Sequence, residues 1–166
     1  MLPARLRTFF VPACLASLAV LVGSYYLEYT LGLIPCPLCF TQRLLLGLYA
    51  MLCLGAVVQA PSTSRGYTRA LLACSLTGAL LAARHVWLQG ASGAVHVCPA
   101  PIWRVFEQSW REAARQLLLG GPDCHSLTWS FFDLTLPEWS LLAFLLLAAL
   151  PLSHLLAYRF RTLAGT

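Results

Sequence analysis

The sequence predicts an all-α integral membrane protein, a four-transmembrane-helix bundle with a long outer loop carrying a short amphipathic helix. Three observations predict it: 59% hydrophobic against 10% charged residues over 166 positions, four apolar runs of membrane length, and arginines gathered at the ends of those runs. A chain this apolar has too little polar surface for an ordinary soluble domain, so part of its exterior must face lipid. Its length suits one domain, residues 1–166.

The runs cover residues 9–27, 44–60, 70–88 and 140–158, each 17 to 19 residues long. At about 1.5 Å per residue this approaches the ~30 Å hydrocarbon core, and a backbone in lipid must satisfy its own hydrogen bonds, which selects helices. Arg5 and Arg7 precede the first run much as they would a secretory signal. The run is longer than a signal peptide's apolar core, however, and three comparable runs follow, so it is read as a span.

Arg5, Arg7, Arg65, Arg69, Arg159 and Arg161 occupy the two tails and the middle loop, with no acid among them. Arginine excess marks the cytoplasmic side, which puts both termini there and turns the loops at about 28–39 and 89–139 outward. All eleven basic residues are arginine, and the pI is about 9.0. They punctuate the spans instead of forming a stripe, so no nucleic-acid partner is expected.

In the long outer loop Trp103, Phe106, Trp110, Ala113 and Leu117 recur every three or four residues, and Glu107 and Arg111 form an i,i+4 pair. This reads as an amphipathic helix, either lying on the membrane with its tryptophans at headgroup depth or packed on the bundle. Gly120, Gly121 and Pro122 break it and deliver Cys124 into an extended segment. Thr135 and Glu138 have capping-box spacing, and Pro137 suits the first turn of the last span.

Of seven cysteines, Cys14, Cys53 and Cys74 lie inside apolar spans and read as small hydrophobes. Cys36, Cys39, Cys98 and Cys124 fall on the outward side, where an exported compartment permits disulfides. Cys36-Pro37-Leu38-Cys39 is a CxxC pair at the point where a loop becomes the second helix. Free N–H groups and the positive end of the helix dipole stabilise thiolates there, as thiol–disulfide exchange requires. A structural disulfide or half of a metal site are its other readings. There is no second CxxC or His-x-His partner for a tetrahedral zinc site, so no metal is expected.

Arg43 follows Cys39 by one helical turn, about 6 Å along the axis, at the entry to lipid. An intramembrane charge is expensive, and this one can pair with the Cys39 thiolate or stabilise negative charge on a reduced acceptor; snorkelling to the headgroups is the alternative. Arg84 and His85 sit near the outward end of the third span at similar depth, so that the second and third helices could share a polar pocket. There an imidazole can hydrogen-bond a carbonyl and assist proton transfer, against the plainer role of an interhelical hydrogen bond. Cys98 and Cys124 are either a staple, worth roughly 3.5 kcal/mol by chain entropy, or a second exchangeable pair in an electron relay. His96, His125 and His154 read as solvated or packed.

Taken together, four spans, Cys36 and Cys39 followed by Arg43, two loop cysteines 26 apart, and Leu136-Pro137-Glu138-Trp139 opening the last span resemble the bacterial disulfide bond formation protein B (DsbB) family. That resemblance covers nearly the whole chain and implies a quinone-dependent thiol:disulfide oxidoreductase of the inner membrane with its redox cysteines on the periplasmic face. It further implies that the loop pair oxidises a soluble, thioredoxin-like (DsbA-like) periplasmic partner, Cys98 forming the mixed disulfide and Cys124 closing the loop disulfide. Cys36 would then exchange with the loop pair, and Cys39 would face ubiquinone or menaquinone with Arg43 beside it. His85 would border the quinone through the Arg84-His85-Val86 pattern. A vitamin K epoxide reductase-like enzyme is a second reading, disfavoured because its CxxC typically sits late in the bundle. A structural or metal-handling membrane protein is the non-enzymatic one.

Overall fold

The computed structural model describes residues 4–32, 34–58, 64–91, 102–121, 124 and 130–164. Cys98, His96 and His125 lie outside them. Helices α1 (Ala4–Leu31), α2 (Pro37–Val58) and α3 (Ser64–Ala91) are followed by two short helices, α4 (Trp103–Phe106) and α5 (Trp110–Leu119). A two-stranded hairpin, β1 (Ser130–Phe131) and β2 (Leu134–Thr135), then leads into α6 (Leu136–Ala164). Among the described residues four helices are long and apolar enough to cross a membrane, through Phe10–Leu31, Pro37–Val58, Gly66–Gly90 and Leu136–Ala157. The chain is therefore a multi-pass helical membrane protein.

Its helices run past the limits that hydropathy suggests. The apolar runs stop at Glu28 and begin again after Arg43, yet α1 continues to Leu31 and α2 already starts at Pro37. One contact explains both differences, because Arg43 forms an ion pair with Glu28 and the two charges are carried into the bundle together. The expected loop over 28–39 shrinks to a connection at 32–36.

Packing follows the rules of a lipid solvent, where small residues let helices approach and large apolar residues point outward. Ala13, Ala50, Ala79 and Ala82 are buried, whereas Leu80, Leu146, Met51 and Val22 are exposed along the spans. Gly78 is the closest approach: a Cβ there would run into the ring of Phe144, which is fully buried. Tyr49 on α2 is also fully buried and donates its hydroxyl to the Leu147 carbonyl of α6 at 3.0 Å. Ser17 and Ser75 satisfy their hydroxyls on carbonyls of their own helices, at 2.9 Å each. Extensive contacts join α1 to α2, α2 to α3 and α3 to α6, while α1 and α6 meet only sparsely. The result is an apolar groove of about 680 Å³ between α1 and α6.

The expected amphipathic helix forms in two pieces, broken over 107–109. Its second piece packs on the bundle, the latter of the two readings. Helix α5 packs on α2 and α3, with Ala113 buried and the Thr41 hydroxyl donating to the Leu117 carbonyl at 2.9 Å. Trp103 and Trp110 still point away from the bundle. At the start of α6 the Glu138 carboxylate accepts from the Thr135 N–H at 2.6 Å, one half of the expected capping box. The other half differs, since the Thr135 hydroxyl donates to the same carboxylate at 2.9 Å.

Candidate functional site

Cys36 is the residue immediately before α2, and its sulfur does what an N-cap side chain does. The Cys39 N–H donates to Cys36 Sγ at 3.3 Å, and the Phe40 N–H bonds the Cys36 carbonyl at 3.1 Å. Pro37 occupies the first helical position, where its missing N–H costs nothing. Cys39 then sits one turn into the helix, with its sulfur 2.9 Å from Cys36 Sγ.

Cys124 reaches this pair from the segment after α5, and a glycine makes the approach feasible. Gly120 ends α5 at φ 89 and ψ 149, a conformation that side chains avoid. A Cβ there would lie 2.6 Å from Leu88 Cδ1 and 2.9 Å from Leu38 Cδ1. The chain can thus lie flat against α2 and α3 before turning through Cys124, whose N–H bonds the Gly121 carbonyl at 3.1 Å. This is a tight turn, not the extended segment expected from the Gly-Gly-Pro sequence. It leaves Cys124 at 1% exposure, packed with Cys36 and Leu38.

His85 completes the cluster from α3. Its ring is buried, with Nε2 3.5 Å from Cys36 Sγ and Nδ1 4.0 Å from Cys39 Sγ. The ligating atoms of Cys36, His85 and Cys124 all lie within 4.8 Å of one another. Cys36 and Cys124 differ in character as a consequence. The Cys124 thiol is held down to about 6, first by the hydrogen bond it takes from Cys36 and then by the Leu38 N–H and the nearby His85 ring. Cys36 is pushed well above the usual thiol range because it donates to Cys124 and Cys39 and is buried.

On another side of Cys39 a cleft of about 90 Å³ opens, lined by Glu28, Ile34, Cys39, Gln42, Arg43 and Ser140 among others. Val20, Ser24, Leu27, Leu136 and Ser140 line both this cleft and the α1–α6 groove, so the two spaces adjoin. Arg43 stands in the cleft wall bound to Glu28, with Nη2 donating to the Ser24 carbonyl at 3.0 Å and its guanidinium 4.6 Å from the centre of the Tyr25 ring. Its partner is thus a carboxylate, where the sequence offered the Cys39 thiolate, a reduced acceptor or the headgroups.

Gln42, buried at 4% exposure, leaves its Nε2 donor without a hydrogen-bond partner among the described residues, beside the same cleft. Sequence reasoning passed over Gln42; a polar residue between Thr41 and Arg43, at the threshold of the second apolar run, was the available signal. His85 is not among the residues lining the cleft and faces the sulfurs instead. Arg84 does not share a pocket with Arg43: it is exposed, and its Nε donates to the Leu119 carbonyl at 3.4 Å.

Residues 6–153 match the family model described as "Disulfide bond formation protein DsbB". The chain belongs to the DsbB family. It is 77% identical to Disulfide bond formation protein B 2 of Pseudomonas putida, with both chains covered in full. It is 58% identical to Disulfide bond formation protein B 2 of Pseudomonas entomophila over 95% of each chain. A third relative, Disulfide bond formation protein B 1 of Pseudomonas aeruginosa, is 37% identical over 83% of this chain and 87% of its own. DsbB membership makes this a membrane oxidoreductase of disulfide formation, which sets aside the vitamin K epoxide reductase-like reading and that of a non-enzymatic structural or metal-handling protein.

Proposed function

We propose that the chain re-oxidises a thioredoxin-like, DsbA-like dithiol oxidase of the periplasm and passes the electrons through two cysteine pairs to a membrane quinone. The observation that carries this reading is the position of the CxxC pair between two neighbours: Cys36 lies against Cys124, and Cys39 lines the cleft that holds Arg43. A relay in series needs one sulfur of the pair on each side.

The partner's thiolate attacks Cys98 of the Cys98–Cys124 disulfide, and its second thiol resolves the mixed disulfide, leaving Cys98 and Cys124 reduced. Cys124, the low-pKa thiol, then attacks Cys36 of the Cys36–Cys39 disulfide. The Cys36–Cys124 bond forms, the Cys36–Cys39 bond breaks, and Cys39 leaves as a thiolate. Attack of Cys98 on Cys124 restores the loop disulfide and releases Cys36. His85, within reach of both Cys36 and Cys39, carries the protons that these sulfurs take up and lose.

The residues around the cleft fit a quinone. Gln42 offers an unpaired N–H donor and Arg43 a cation for a carbonyl end, and the adjoining apolar groove suits an isoprenoid tail. Bound there, the quinone supplies the two-electron acceptor, and two electrons and two protons leave as Cys36–Cys39 re-forms. Ubiquinone and menaquinone share this chemistry. The arginine bias supports both termini in the cytoplasm and the cysteines on the periplasmic face of the inner membrane.

The test is quinone reduction by the purified protein, driven by a reduced thioredoxin-like partner. Cys39→Ser should abolish turnover while leaving the Cys98 mixed disulfide trappable. Full activity in Cys39→Ser would refute the relay.

A further inference from the structure

Three soft or borderline donors from three different parts of the fold converge on one point. Cys36 precedes α2, His85 projects from α3 and Cys124 comes from the outer turn, and their ligating atoms are mutually within 4.8 Å. All three are buried, at 7%, 2% and 1% exposure. In tetrahedral coordination by thiolate at ~2.3 Å and imidazole at ~2.0 Å, neighbouring donors stand about 3.7 Å apart. Cys36 Sγ and His85 Nε2 are already at 3.5 Å. The widest separation the cluster allows, 4.8 Å, needs a closure of only about 1 Å, within the reach of a χ1 adjustment.

Charge and orientation suit the same ligand. Two thiolates neutralise a divalent cation, so the filled site carries no net charge into a buried position. With Nε2 toward the cation, the Nδ1 of His85 faces Cys39 Sγ at 4.0 Å, an outer partner that favours one tautomer. A donor set of sulfurs and one imidazole selects zinc over hard cations such as magnesium or calcium.

We propose that the fully reduced protein binds one Zn²⁺ on Cys36, His85 and Cys124, and that the bound ion halts thiol–disulfide exchange. Zinc displaces the two thiol protons and occupies both sulfurs between which the loop pair and the CxxC pair exchange. Oxidation of either pair removes a ligand, because a sulfur in a disulfide is no longer a thiolate. The site therefore exists only when neither pair is closed as a disulfide, the state that accumulates when electrons enter faster than an acceptor removes them. This role rests on the proposed relay for the supply of that state; the donor geometry does not.

The experiment uses full-length, untagged protein in detergent, reduced, freed of reductant under argon and titrated with Co²⁺ as a spectroscopic stand-in for Zn²⁺. The expected result is one Co²⁺ per chain with the visible bands of a tetrahedral site and a sulfur-to-cobalt charge-transfer band, bleached by one equivalent of Zn²⁺. Disulfide-oxidised protein should show neither band. His85→Ala and Cys124→Ala should each lose the tetrahedral signature, and Cys14→Ser, whose thiol lies in the core of the spans, should keep it. A readout that needs no variant is alkylation mapped by mass spectrometry, where Zn²⁺ should protect Cys36 and Cys124 of the reduced wild type.

Absence of the bands in reduced wild type, unchanged bands in Cys124→Ala, or no protection of Cys36 and Cys124 would each overturn the proposal. Metal binding is read without quinone or partner. A failed relay with intact cobalt spectra would thus condemn the proposed electron path alone, and a working relay without them would condemn the metal site alone.

Discussion

Replacing Gly120 by alanine should uncouple the two cysteine pairs without touching a sulfur. At φ 89 and ψ 149 the backbone lies where only glycine is at ease. A side chain there costs about 1–3 kcal/mol in backbone strain, and forcing a methyl into a filled space costs about 1–3 kcal/mol more. The filled space is real: the new Cβ would meet Leu88 Cδ1 at 2.6 Å and Leu38 Cδ1 at 2.9 Å. Both penalties vanish if the turn carrying Cys124 lifts away from α2, so the substitution disfavours the docked turn by about 2–6 kcal/mol. Because each 1.4 kcal/mol is about tenfold in an equilibrium, quinone reduction driven by the protein partner should fall by at least about tenfold. Dithiothreitol, small enough to reduce Cys36–Cys39 directly, should drive the variant at a rate close to wild type. Wild-type rates with the protein partner would refute the reasoning, and an equal loss with both reductants would mean that the substitution damages the bundle instead of the approach of Cys124.

Arg43→Ala should raise the KM for quinone roughly tenfold, the worth of about one charged hydrogen bond, with a smaller change in kcat; an unchanged KM would remove Arg43 from the acceptor cleft. Glu28→Gln should shift the same KM less, because it loosens Arg43 without deleting it. The rate at which reduced Cys124 is alkylated, measured with a chelator present, should rise through pH 6 and level off near neutrality, since the sulfur is protonated below its pKa of about 6 and a thiolate above it. A rate still climbing at pH 9 would show an ordinary thiol. Gly78→Ala should lower the thermal midpoint in detergent by crowding Phe144, and Phe144→Leu in the same chain should recover part of the loss; no change in the single variant would mean that α3 and α6 are not held at this contact.

Much of the fold was legible in the chain because lipid imposes one rule on every span. Long apolar segments with arginines at their ends leave helices as the open choice, and the CxxC pair falls beside a helix start wherever the exact boundary lies. Residue types also pointed to thiol chemistry, through a CxxC pair followed by an arginine that lipid would otherwise expel. What the chain could not disclose was who meets whom. Hydropathy sees Glu28 and Arg43 as two interruptions, whereas in three dimensions they neutralise each other, and each helix continues through its charge. His85 reads as a neighbour of Arg43 by depth alone, but rotation about the helix axis turns its ring to the thiols and leaves Arg84 at the surface. The meeting of Cys124 with Cys36 depends on the conformation of Gly120 and on methyls of Leu38 and Leu88, which belong to other helices, contacts that no local pattern encodes. Sequence thus determined which groups were available and in what solvent, and tertiary structure decided their pairing, because distance between side chains is set by packing across helices and not by spacing along one.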